Sequence, residues 1–305
     1  MKGLFFVLLF CLVAGAVRAQ ENASNNTLLW KISGKNLSRP SYLFGTMHMI
    51  CGDEIQLSDS LKAAIRKTDR VYLELDMDNL FEMIGVIGKM KMRNDTTLAD
   101  LLTPTEYDSV KQFFKQHKTL LPFSVLETYK PMLAASTLMQ ASLDCDKQVA
   151  MEQLIMKEAK ARGKGVKGLE TMAYQMSIFD SIPYGLQAKQ LVSMVQQSGK
   201  DSSSTSNEFE MLTKAYLDQQ LDTLEAITRR EDMGIANFTE ILLYNRNANW
   251  ARKLEGLMKD NALVVAVGAG HLPGERGMIN LLRKAGYKVE PVKNEMTKRP
   301  PERQL

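Results

Sequence analysis

Residues 262–271 read Ala262-Leu263-Val264-Val265-Ala266-Val267-Gly268-Ala269-Gly270-His271. A continuous apolar run stopped by glycine predicts a central strand buried on both faces, as in a parallel sheet. A second run, Ser41-Tyr42-Leu43-Phe44, passes in the same way into Gly45-Thr46-Met47-His48. In each, a glycine closes the strand with freedom to turn, and a histidine follows three residues later at the strand's carboxyl end. Open α/β sheets take their ligands in the crevice outside those ends.

Working outward, Leu28 to Ile32 and Ser41 to Phe44 form a hairpin across Gly34 to Pro40. Asp59 to Lys67 has helical periodicity and Val71 to Leu75 alternates as a strand, so strand, helix and strand in this order point to a parallel sheet. The middle of the chain is largely helical. Thr103-Pro104-Thr105-Glu106 is a capping box with proline at the first helical position, starting a helix that runs to about Gln116. Val149 to Arg162 reads as a helix ended by Gly163, and Gly165 to Leu169 as a strand with Glu170 at its end. Ser198 to Asn207, poor in apolar residues, reads as a loop, and Leu212 to Met258 as a second helical stretch. A helix from about Glu275 to Lys284 and a strand from Tyr287 to Val292 complete an α/β ending. No repeat recurs at a fixed period. The expected fold is α/β, with a central, mostly parallel sheet flanked by helices and one domain over residues 20–305.

The first residues set the compartment. Lys2 supplies a positive start, Leu4 to Val13 an apolar core, and Val17-Arg18-Ala19 a cleavage site before Gln20, which together read as a secretory signal over residues 1–19. The apolar run is too short for a membrane span, which takes about 20 such residues, and no later stretch is long enough. The expected location is therefore periplasmic or extracellular, without a transmembrane helix once the signal is gone. The formal net charge of +4 falls to about +2 when Lys2 and Arg18 leave, and nothing in that balance points to nucleic acid or anionic lipid. Of the three cysteines, Cys51 and Cys145 remain. Export permits a disulfide between them, and two unpaired thiols are the alternative.

The chain has three histidines, and two of them occupy the same setting, which makes His48 and His271 candidate ligands of one metal ion. His117, among Lys115, Gln116 and Lys118, has no such setting and reads as solvated. A catalytic metal usually takes three protein ligands and leaves a position open for water. The acidic candidates at strand ends are Glu74, which shares a strand face with Tyr72 and Asp76, and Glu170. A solvated edge would also explain Glu74, and a helix start would explain Glu170. Met83, Met90 and Met92 either line an adaptable apolar groove or fill core.

The segment Tyr42 to His48, the strand carrying Glu74, the passage Gly163 to Thr171, the run Asn245-Arg246-Asn247 and the run Val267 to Leu272 together resemble the TraB/PrgY/GumN family in order and spacing. The resemblance extends from about Leu28 to Val292. It implies a TIKI-like fold, related at a distance to erythromycin esterases and to the haem-binding ChaN proteins. It also implies metal-dependent peptidase chemistry on secreted protein substrates. Carried over by position, His48, His271 and Glu74 become the metal-site candidates, and Glu74, Glu170 and Arg246 the catalytic ones.

The mechanism this implies has the two histidines, helped by a carboxylate, hold a divalent ion such as Zn²⁺, Mn²⁺ or Co²⁺ that activates water. Glu74 or Glu170 ligates the ion or accepts the water's proton. Arg246 stabilises an oxyanion or anchors a substrate carboxylate; as a bland alternative it is a surface cation. Two other readings stand beside it: a haem- or metal-binding protein without catalysis, and a metal-free, esterase-like hydrolase in which a histidine activates water. The export reading has its own test. N-terminal sequencing of the protein recovered from outside the cytoplasm should begin near Gln20, and an intact Met1 on a cytoplasmic form would remove the signal.

Overall fold

In the computed structural model, which describes residues 26–53, 55–117, 119, 121–141, 145, 147–199, 204–229 and 238–296, the run at 262–267 forms the strand expected of it. Its Leu263–Gly268 segment buries each of its first five residues. The signal read at residues 1–19 lies outside the described residues. The strands are β1 (Leu29–Ser33), β2 (Ser41–Thr46), β3 (Ile50–Cys51), β4 (Arg70–Leu75), β5 (Gln148–Val149), β6 (Gly165–Glu170), β7 (Leu263–Gly268) and β8 (Lys288–Val292). Six make one sheet in the order β6-β4-β7-β2-β1-β8.

Strands β6, β4, β7 and β2 are parallel, whereas β1 runs antiparallel to both β2 and β8. β2 and β4 are parallel but do not touch, because the most apolar strand, β7, lies between them. Thr46 pairs with Gly268 and Leu75 with Glu170, so the carboxyl ends of the four parallel strands share one edge.

Local chemistry accounts for the helices beside the sheet. Ser58 caps the helix Asp59–Lys67 by accepting from the Leu61 N–H at 3.0 Å. Thr103 and Glu106 close the expected capping box on Pro104–Gln116. Gly163 takes φ 64° after the helix Met151–Ala161, a conformation that suits glycine. The sheet and its helices share one apolar core, which includes Phe44, Leu73, Val265 and Trp250. A second core, with Val110, Phe113, Leu138 and Leu191, belongs to the helical middle section.

Element boundaries differ in places from the sequence expectation, while the helical stretch 212–258 is largely helical in its described residues. Gln148–Val149 is a short strand rather than the start of a helix, because it pairs with β3. The region read as a loop, 198–207, is entered by helices on both sides, Tyr184–Gly199 and Ser204–Leu217, and residues 200–203 lie outside the described ones. Low apolar content does not by itself bar a helix. The stretch 212–258 contains the end of Ser204–Leu217, then Leu221–Thr228, a π-helical turn at Glu240–Tyr244, and Asn245–Asp260.

Cys51 and Cys145 form a disulfide with Cα atoms 5.9 Å apart, across a sequence separation of 94. It closes the small β3–β5 ladder, where Ile50 pairs with Val149 and Cys51 with Gln148. Closing so long a loop restricts the unfolded chain, so Cys51→Ser should cost roughly 2–4 kcal/mol of stability. Urea denaturation of oxidised wild type and variant measures the difference, and coincident curves would mean that the bridge does not constrain the chain in solution.

Candidate functional site

The shared strand edge gathers the candidate residues. Glu74 is the penultimate residue of β4, Glu170 the last of β6, and Gly268 the last of β7. His271 ends the 3₁₀ turn Ala269–His271, and His48 lies two residues beyond β2. Arg246 reaches them from the first turn of the helix Asn245–Asp260.

Arg246 is the centre of the cluster. Its Nη2 donates to Glu74 Oε2 at 2.5 Å and to Glu170 Oε1 at 2.6 Å, and its Nε donates to Glu170 Oε1 at 3.0 Å. Its Nη1 donates to the Leu242 carbonyl at 3.0 Å and faces His271 Nε2 at 3.3 Å. Arginine has no acceptor, so His271 Nε2 is the accepting nitrogen and Nδ1 carries the proton. That proton goes to Asn247 Oδ1 at 2.6 Å. Asn247 is oriented by its own amide donating to the Arg276 carbonyl at 3.0 Å.

Burial and charge then divide the roles of the titrating groups. Burial drives the His271 pKa down to about 4 against the pull of Glu74, with Arg246 and His48 adding to the fall. Burial alone would raise Glu74, but the charges of His271, Arg246 and His48, with the Gly268 N–H donating at 2.7 Å, hold it at about 2. Glu170 is raised, because its burial and the nearby Glu74 outweigh Arg246 and Trp250. Glu74 is therefore a permanent anion at neutral pH, while Glu170 is the carboxyl closer to exchanging a proton.

The motif glycines serve close packing rather than turning. Neither Gly45 nor Gly268 has a positive φ. A Cβ on Gly45 would lie 2.8 Å from Leu272 Cδ1 and 3.1 Å from Ala269 Cα, so glycine lets the two histidine turns approach each other. A Cβ on Gly268 would lie 3.3 Å from Glu74 Oε1, the oxygen that its own N–H binds.

His48 stands apart from the Arg246 cluster. Its Nδ1 lies 2.8 Å from Glu152 Oε1. The contact with Glu152 and the charges of Glu152 and Glu74 raise the His48 pKa to about 9. Among the described residues, no three His, Cys, Asp or Glu side chains are gathered to hold one ion. Arg246 lies between Glu74, Glu170 and His271. His117 is exposed, stacks on Phe113 and takes no part.

Sequence reasoning missed Glu152, Asn247 and Trp250. Trp250 donates to Glu170 Oε2 at 3.1 Å, and its ring lies 4.6 Å from both the Arg246 guanidinium and the His271 ring. The signal was present in the helical stripes. Arg246, Asn247, Trp250, Leu254 and Met258 all lie on the buried side of one helix, as do Glu152, Ile155 and Ala159 on another, so polar residues stand at apolar positions. The three methionines divide: Met92 is buried, Met90 half-buried and Met83 exposed on the helix Leu80–Met90, beside exposed Leu80, Phe81, Ile84 and Ile87.

Comparison with known proteins gives a consistent result. The sequence profile of the TraB/PrgY/gumN family matches residues 28–291. Metalloprotease TIKI2 of Danio rerio is 22% identical over 316 residues, covering 87% of this chain and 61% of that protein. Metalloprotease TIKI homolog of Amphimedon queenslandica is 22% identical over 327 residues, covering 90% and 63%. Metalloprotease TIKI1 of Homo sapiens is 22% identical over 325 residues, covering 88% and 63%. The chain thus spans about three-fifths of the length of the curated relatives it matches. No solved structure shows a significant match.

The buried cluster makes a quantitative prediction. Arg246→Ala would leave two carboxylates desolvated without a counter-charge, and breaking such a buried pair costs about 3–5 kcal/mol. Urea denaturation reads the loss, and a cost under about 1 kcal/mol would mean that water reaches Glu74 and Glu170.

Proposed function

This chain belongs to the TraB/PrgY/gumN family, and on that premise we propose that it is an exported, metal-dependent hydrolase, a TIKI-like peptidase that cleaves secreted polypeptides. The observation that carries the proposal is that Glu74, Glu170, Arg246 and His271 meet on one edge of a parallel sheet, with His48 on the turn after the neighbouring strand. The Cys51–Cys145 disulfide supports an oxidising compartment. Among the described residues, no helix is long and apolar enough to cross a membrane.

The donor set fits a divalent ion in its nitrogen chemistry. Both imidazoles turn Nδ1 toward an acceptor, His48 toward Glu152 and His271 toward Asn247, so Nε2 is the nitrogen each would offer an ion, in His48 after loss of the proton it holds to about pH 9. His48, His271 and the Glu74 anion are the residues we assign to the ion. When bound, the ion lowers the pKa of its water from about 15.7 toward about 7 and so supplies a nucleophile at neutral pH. Arg246 donates to the same His271 Nε2 through a long contact of 3.3 Å, so His271 would hold an ion only where the guanidinium gives up that contact.

The remaining roles follow from charge. Glu74, held at about 2, offers a negative charge rather than a proton at neutral pH. Glu170, raised by burial, is better matched to accept and return a proton. Arg246, whose donors go to Glu74, Glu170, the Leu242 carbonyl and His271, would reach a developing oxyanion or a substrate carboxylate by giving up its longest contact, the 3.3 Å one to His271.

One observation favours a second reading, a metal-free hydrolase: His48 already has a buried carboxylate behind it, as a histidine handling protons directly would need. A haem-binding role gains no support from His271, which is 4% exposed and packed on Trp250 with no face open to a porphyrin.

The test is elemental analysis of the purified protein with peptide-library cleavage before and after chelation. His48→Ala and His271→Ala should each remove most cleavage, and the double variant should lose little more, as expected for parts of one assembly. His117→Ala should change neither cleavage nor metal content. Cleavage that survives chelation but not His48→Ala would transfer the reaction to the metal-free reading, and unchanged cleavage in both histidine variants would remove the site.

A further inference from the structure

Glu152 is an expensive residue for its position. It lies in the first turn of the helix Met151–Ala161, in a stripe whose other members are Met151, Ile155 and Ala159, and its side chain is 9% exposed. Both carboxylate oxygens are shut off from water, and the side-chain groups that face them are the His48 imidazole and the Thr46 hydroxyl, which hold the carboxyl below its usual pKa against the effect of burial. The cation beside it is His48, 2.8 Å away and 70% exposed. An ion pair with an exposed partner returns little, whereas taking a carboxylate out of water is costly. A leucine in the same stripe would serve the core better. Sequences that break a packing rule in this way do so where function requires it.

The surrounding backbone fixes the pair. The Met151 N–H donates to the Met47 carbonyl at 3.3 Å, and the Gly52 N–H to the Lys147 carbonyl at 2.8 Å. Between them run the β3–β5 ladder and the Cys51–Cys145 bridge. The turn that carries His48 is thereby held in register with the residues leading into Glu152. His271, the other histidine of the site, has its Nδ1 held by Asn247 from a buried helical stripe in the same manner.

We propose that Glu152 is the positioning residue of His48, holding the imidazole by Nδ1 so that Nε2 faces the reaction site. This rests on the reading of His48 as part of that site. A carboxylate behind a ligating or proton-handling histidine fixes both the tautomer and the orientation of the ring, and losing one costs 10- to 100-fold in affinity or activity.

The experiment compares wild type with Glu152→Leu and Glu152→Gln. Three quantities are read: the hydrogen-bonded Nδ1 proton of His48 by ¹H–¹⁵N NMR without metal, affinity for Mn²⁺, and peptide cleavage. Glu152→Leu should lose the Nδ1 signal and 10- to 100-fold in Mn²⁺ affinity and cleavage, with a melting temperature equal to or above that of wild type. Glu152→Gln, which keeps an acceptor in place, should retain the Nδ1 signal and stay within a few-fold of wild type. A merely structural Glu152 would show a lowered melting temperature in Glu152→Leu with the Nδ1 signal preserved, and that result overturns the proposal. If wild type neither binds Mn²⁺ nor cleaves peptides, the proposed function fails, while the Nδ1 signal in the three proteins still decides the role of Glu152.

Discussion

Two carboxylates buried on neighbouring strands cannot both stay charged without a cation between them, and Arg246 is that cation. Glu74 on β4 and Glu170 on β6 are 9% and 6% exposed at their side chains, and one guanidinium binds both. Much of the local structure serves that contact. Arg246 must enter from a helix start, and the π turn at Glu240–Tyr244 precedes it, with the Leu242 carbonyl taking one of its donors. Trp250, one helical turn further on, covers the guanidinium and supplies Glu170 with another donor. Asn247 faces His271 and fixes its tautomer. A planar fork is required, because a lysine ammonium could not divide its donors among two carboxylates, a carbonyl and an imidazole in one plane.

The sheet makes this arrangement possible by bringing distant chain segments to one edge. β7 is the most buried strand and lies between β4 and β2, so His271 falls between Glu74 on one side and the His48 turn on the other. Close approach is enforced by absent side chains. Gly45 lets the turn after β7 settle on β2, and Gly268 lets its own N–H reach Glu74. The cross-links at the far side are local: the β3–β5 ladder and its disulfide tie the His48 turn to the helix that bears Glu152.

The strands and the strand-end residues were legible because they depend on short-range pattern. The apolar run at 262–267, the alternation at 71–75 and the capping box at Thr103 each carry their own physical signal, and each formed the expected element. Three things were not legible. Polar residues hidden in apolar stripes, Glu152 and Asn247 among them, gain their meaning only from the partner that the fold delivers. The glycines of the paired histidine motifs looked like turn residues, since the atoms that a Cβ would strike come from Leu272, Ala269 and Glu74, far away in sequence. The 198–207 segment looked like a loop because sparse apolar content was taken for an absence of structure, whereas helices enter it from both ends.

The cluster divides into a saturated half and an open half, and that division bears on how chemistry can occur there. In the saturated half, Glu74, Glu170, Arg246 and His271 satisfy one another, so their charges are fixed and their positions are stiff. Preorganised charge of this kind stabilises a transition state because nothing need reorganise when charge develops. In the open half, His48 carries its proton to about pH 9 and presents most of its ring to solvent, with Glu152 buried behind it. A group that is anchored at one nitrogen and exposed at the other can meet a substrate, a water or an ion without disturbing the core. The rigid half thus suits electrostatic stabilisation and the exposed half suits exchange with solvent, and the two glycine–histidine turns follow neighbouring strands of the sheet.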